Sequence, residues 1–108
     1  MVKPYSVTVS RQGGTTTISL TGAIDIAAGA EVRAVVTATT LRDRPLRLVL
    51  DLLGTTFIDA TGANALVLAR NAARLVGAEL ELRRPAPHLA RVLELAGVID
   101  DRALEPAG

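Results

Sequence analysis

The segment Phe57-Ile58-Asp59-Ala60-Thr61-Gly62 holds the side chains of this chain best placed for chemistry. It closes a Leu-rich run and opens an Ala/Leu-rich one, so Thr61 falls at the first turn of a helix. The first N–H groups of a helix have no intrahelical acceptor, and the dipole there favours negative charge. An anion beside the Thr61 hydroxyl is therefore accommodated, and a phosphoryl group placed there would change surface charge while sparing the core. Asp59 is positioned to be the N-cap, its carboxylate accepting from a first-turn N–H. On these residues alone Thr61 is either a capping hydroxyl or an acceptor of phosphate. Asp25 stands before the preceding helix in the same way, as a cap.

Other chemistry is poorly supplied. There is no Cys, which excludes disulfides and thiolates, and the only His is His88, in a short expected helix away from any carboxylate cluster. A nucleophile–base pair or a metal site has few residues to draw on. No metal, cofactor or catalytic residue is expected. Eleven Arg and one Lys balance eleven acids to a net charge of +1, too small a field to suggest nucleic-acid binding. The N-terminus MVKPYSVTVS lacks a signal h-region, and no apolar run reaches the ~20 residues of a membrane span. These features lead us to expect a cytoplasmic protein.

The elements that must position Thr61 follow from periodicity. Residues 5–10 and 15–21 alternate, with Val7 and Val9, then Ile18 and Leu20, facing inward; Gly13-Gly14 between them signals a hairpin. A helix is expected from about Ala27 to Thr40 on Val32, Val35 and Val36. Leu46, Leu48 and Leu50 form the next inward strand face, with Arg47, Val49 and Asp51 opposite. A second helix is expected over Ala60–Val76, with Ala65, Leu68, Ala72 and Leu75 on one stripe and Gly77 after its end. Strand 78–83 turns Leu80 and Leu82 inward. A third helix fits Pro87–Ala96, with Pro at its first turn; the tail 100–108 is expected to fray or add a short terminal element. At 108 residues this is one domain spanning 1–108. Alternating strands leave one sheet face polar, so the helices are expected on one face of an α/β mixed sheet of four to five strands.

Over its central part, LRLVLDLLGTTFIDATGANALVLARNAARLVGAELEL, the chain resembles STAS domains, and within them the bacterial anti-sigma factor antagonists, which read LVLDLSGVTFIDSSGLGAL there. The resemblance implies a phosphoacceptor at Thr61, the hydroxyl directly before the Gly. It also implies a partner-binding surface at Asp25, Ala23, Asp59, Ala60, Gly62 and Asn64. Leu20-Thr21-Gly22-Ala23-Ile24-Asp25 is similar to the family's LTGEID turn, with Ala23 in place of the Glu. Ala60 replaces a common Ser, and Asn64 replaces an apolar or small residue. The function implied is a non-enzymatic switch. Unphosphorylated, it binds an anti-sigma factor kinase of histidine-kinase-like fold and frees a sigma factor; phosphorylation at Thr61 by that kinase, using its own ATP, ends binding, and a phosphatase resets it. Two alternatives stay open: a STAS subunit of a lipid-transport ABC complex, and a component of a stress-sensing STAS assembly.

Overall fold

The computed structural model describes residues 4–98. In chain order the elements are β1 (Tyr5–Gln12), β2 (Thr15–Ile24), α1 (Ile26–Asp43), β3 (Arg47–Asp51), β4 (Thr55–Ile58), α2 (Ala60–Leu75), β5 (Glu79–Arg83) and α3 (Pro87–Leu95). The β1–β2 hairpin turns at Gly13-Gly14, where Gly13 takes φ 61°, a backbone state that costs glycine little. The expected residues 100–108 lie outside the described part.

The sheet is mixed, ordered β1-β2-β3-β5, with β1 antiparallel to β2 and the remaining pairings parallel. β4 pairs with the far half of β2, Ile24 opposite Ile58. The stretch from Arg47 to Ile58 thus runs beside β2 as two short strands separated by the turn at Leu52-Leu53-Gly54. At that turn the Gly22 N–H donates to Gly54 O (2.9 Å), and the buried Thr55 hydroxyl donates to Leu20 O (2.7 Å). β4 is the fifth strand. Its four residues alternate too briefly to be read as a strand from the sequence.

Ile18, Leu50 and Leu82 share one register row and one face, and with Leu20, Leu48 and Ile24 they are fully buried. Val32 and Val36 of α1, Leu66 and Ala69 of α2, and Leu89 and Leu93 of α3 join them in a single core cluster. All three helices therefore cover the same face. The other face carries Ser6, Thr8 and Ser10 of β1, Thr17 and Ser19 of β2, and the charged residues of β3 and β5.

Three side chains differ from the sequence expectation. Leu46 was expected inward but is 78% exposed, because β3 begins one residue later; its N–H donates to Gly14 O (2.8 Å) and its side chain rests against the hairpin turn. Val49, expected on the polar face, does point there but is fully buried, flanked in register by Thr17 and Glu81. Glu81 in turn is bridged by Arg47 (3.1 Å) and Arg83 (2.8 Å), so ion-paired side chains close over that part of the sheet. Leu75 was placed on the inward stripe of α2 but is 75% exposed; the helix instead buries Gly62, Ala63, Ala65, Leu66, Ala69, Ala72 and Ala73. An Ala-rich helix has weak periodicity, so the face it buries is chosen by what it packs on.

Candidate functional site

The site forms where β2 and β4 end side by side. Because the two strands are parallel and Ile24 is level with Ile58, the residues that follow, Asp25 and Asp59, leave the sheet at the same height. Each begins a helix. Asp59 has extended backbone geometry, and its Oδ1 accepts from the Gly62 N–H (2.8 Å); Asp25 does the same for α1, accepting from the Ala28 N–H (3.2 Å). Both caps satisfy one first-turn donor. The Asp59 N–H also donates to Ile24 O (3.3 Å), tying the α2 cap back to the strand that leads into α1.

Two glycines bring the helix starts together. A β-carbon on Gly62 would collide with the carbonyl oxygen of Ile24 and stand 3.0 Å from its Cγ2. Gly29, one turn into α1, faces the backbone of Thr61 and Gly62, with a β-carbon there meeting Thr61 O at 3.4 Å. The carboxylates of Asp25 and Asp59 and the hydroxyl of Thr61 thus belong to one surface at one end of the sheet.

Thr61, two residues past the Asp59 cap, is exposed, as are Ala60, Asn64 and Asp25; Asp59 and Ala23 are half-buried. Gly62, expected among the partner-facing residues, is buried, and its place is internal: it lets α2 sit directly on Ile24. Sequence reasoning missed Gly29, although a lone Gly inside a helix usually marks close packing. It also missed two exposed apolar side chains beside the same caps, Ile26 (71%) at the start of α1 directly after Asp25 and Phe57 (50%) in β4 two residues before Asp59. Phe57 is the chain's only Phe, and nothing in the sequence alone marks it as exposed.

Chemically, the site offers one exposed hydroxyl, two carboxylates and the unshared donors of a helix start. His88 is exposed, with Nε2 3.4 Å from Thr56 O. Among the described residues there is no grouping of three or more His, Cys, Asp or Glu side chains that could hold a metal. No helix among the described residues is long and apolar enough to cross a membrane.

Residues 7–105 match the family model described as "Mlab, STAS domain". No curated protein matches the chain. Among solved structures, the anti-sigma factor antagonist SpoIIAA in its unphosphorylated form superposes with a TM-score of 0.80 at 17% identity, over 95% of this chain and 89% of that one. An anti-sigma factor antagonist from Mycobacterium paratuberculosis gives 0.73 at 24% identity, over 95% and 86%. The murine anion transporter Slc26a9 contains a similar unit: TM-score 0.75, 21% identity, 92% of this chain but 17% of that longer one.

Proposed function

The chain belongs to the STAS domain family, and on that premise we propose that it is an anti-sigma factor antagonist switched by phosphorylation of Thr61. The observation that carries this reading is the exposed Thr61 at the first turn of α2, two residues past the Asp59 cap and at the end of the sheet that also carries the Asp25 cap. The likeness to SpoIIAA, solved in both unphosphorylated and phosphorylated forms, supports it.

In the unmodified state the surface of Asp25, Ala23, Asp59, Ala60 and Asn64, with Ile26 and Phe57 as apolar contacts, binds an anti-sigma factor kinase. The kinase supplies ATP and the transfer machinery; this domain supplies the hydroxyl that attacks the γ-phosphorus, losing its proton as ADP leaves. The product carries about −1.5 to −2 extra charges at neutral pH. First-turn donors and the helix dipole offset part of that charge within the domain. Toward the partner nothing offsets it, since Asp25 and Asp59 are already negative. An interface that closes over an uncharged threonine must then admit a bulky dianion against the acidic partner surface that this reading requires, and like charges across an interface cost several kcal/mol. Binding is lost and the fold is kept. A separate phosphatase restores the hydroxyl.

The test is incubation with a candidate anti-sigma kinase and ATP, followed by intact-mass measurement. Wild type gains one phosphoryl group and Thr61→Ala gains none; transfer to the Ala variant at an undiminished rate would move the acceptor to the exposed Thr56, since the Thr55 hydroxyl is buried against Leu20 O. A second reading, a STAS subunit of a lipid-transport ABC complex, is favoured by the description of the matching family model. It uses the same surface on a transporter ATPase and needs no phosphate on Thr61. Stable co-purification with such an ATPase, unaffected by Thr61→Ala, would decide for it.

A further inference from the structure

Away from Thr61, between the two long helices, lies a groove of about 720 Å³ lined by Arg33, Ala34, Ala38 and Leu41 of α1 and Leu68 and Leu75 of α2, among others. At the helix starts Gly29 and Gly62 bring the backbones together; farther along, the alanines of α1 are too short to fill the space between the helices. The result is a trough floored by methyl groups, with Leu41 and Leu75 exposed at its rim by 39% and 75%. Its size falls within the roughly 300–1,000 Å³ of small-molecule sites, which are mostly apolar with a few polar groups that fix orientation.

The charge around it has one sign. Arg33 is the only charged residue in the lining, and its side chain has no ion pair or hydrogen bond within the described residues. α2 contains no acid. The two acids of α1 are engaged elsewhere: Glu31 accepts from the Tyr5 hydroxyl (2.7 Å), and Asp43 accepts from Arg11 (2.5 Å). A cation left without a partner at the mouth of an apolar trough suits a ligand with an aliphatic body and one negative end.

We propose that the α1–α2 groove binds a free single-chain anionic amphiphile, its alkyl chain along Ala34, Ala38 and Leu68 and its carboxylate or phosphate head at Arg33. The amide of Asn71, also in the lining, is available to the head group. The proposal is independent of the reading of Thr61, and Thr61→Ala serves as a control that leaves binding unchanged.

The experiment titrates the full chain, below the micelle concentration, with dodecanoate, dodecyl phosphate, dodecyltrimethylammonium and a neutral dodecyl glycol ether, following Ala and Leu methyl signals by NMR. The expected result is saturable one-site binding with shifts centred on Ala34, Ala38, Leu41, Leu68 and Leu75, and both anions bound about fivefold more tightly than the cation, as for one exposed ion pair. Arg33→Glu reverses that preference. Ala38→Leu fills the groove from an exposed position and abolishes binding of every chain, with thermal unfolding unchanged. The proposal is overturned by shifts scattered over the surface, by equal affinity for anion and cation, or by undiminished binding to Ala38→Leu. Concentration-dependent dimerisation that protects the same methyls overturns it in favour of a second copy of the chain. Binding to phosphatidylglycerol vesicles without binding of the monomeric amphiphiles overturns it in favour of a membrane surface.

Discussion

Substituting the two glycines at the junction of α1 and α2 separates packing from propensity. Both are helical and neither needs a left-handed backbone, so by propensity alone Gly→Ala in a helix gains up to about 1 kcal/mol. At Gly29 that gain is nearly free, since the added β-carbon meets Thr61 O and Gly62 Cα at 3.4 and 3.5 Å, ordinary contact. Gly29→Ala should be neutral or stabilising by up to ~1 kcal/mol. At Gly62 the methyl group collides with Ile24 O, a backbone atom at the end of a paired strand. Overpacking of this kind costs roughly 1–3 kcal/mol, and a backbone neighbour yields less than a side-chain tip would. With a backbone clash taking the upper part of that range, about 2–3 kcal/mol, subtracting a gain of about 1 kcal/mol leaves Gly62→Ala destabilised by about 1–2 kcal/mol. With a urea slope of about 1 kcal/mol/M for so small a domain, its midpoint should fall by roughly 1–2 M while that of Gly29→Ala holds or rises. Equal midpoints for Gly62→Ala and wild type would refute the close approach of α2 to Ile24, and with it the geometry that gathers Asp25, Asp59 and Thr61.

Leu48→Ala, at a fully buried position on a central strand, should cost about 2–5 kcal/mol in lost transfer energy and residual cavity, read from the denaturant midpoint. Asp59→Ala removes the cap on the Gly62 N–H and should cost about 0.5–2 kcal/mol, with fraying of the first turn of α2 visible in amide exchange. Thr61→Ser should still accept phosphate from the cognate kinase, whereas Thr61→Glu, carrying only part of the phosphate charge, should weaken partner binding without unfolding the domain. At the opposite end of α1, hydrogen bonding from Arg11 holds the Asp43 carboxyl below its ordinary value of 3.8, assisted by Arg42 and Thr16 and opposed by burial. A depressed folded-state value contributes stability above the unfolded value and loses it as pH falls through the folded one. Melting followed from pH 5 downward should therefore show a loss below about 3.8 that is smaller in Asp43→Asn; identical acid profiles would remove that contribution.

Alternation in the strands decided much of this protein before any coordinates. Ile18, Leu20, Leu48, Leu50 and Leu82 are inward because a strand's side chains alternate with period two, and the polar residues between them leave one sheet face without helices. The helix starts were equally legible, because Asp25 and Asp59 each stand where a carboxylate can reach a first-turn N–H two or three residues on, a purely local requirement. What only the tertiary structure decided is whatever depends on a neighbour distant in sequence. The face of α2 that is buried could not be read from its alanines, and Leu75 turned outward because Leu66, Ala69 and Ala73 had a better partner in the sheet. β4 exists as a strand because β2 is long enough to pair with β3 and then with β4 in series. Gly62 is buried because the space its side chain would occupy is taken by Ile24, thirty-eight positions earlier in the chain. Local patterns specify backbone state and capping, since those energies arise within a few residues; burial of a weakly amphipathic helix and a glycine's close approach arise between elements, and only folding brings those elements together.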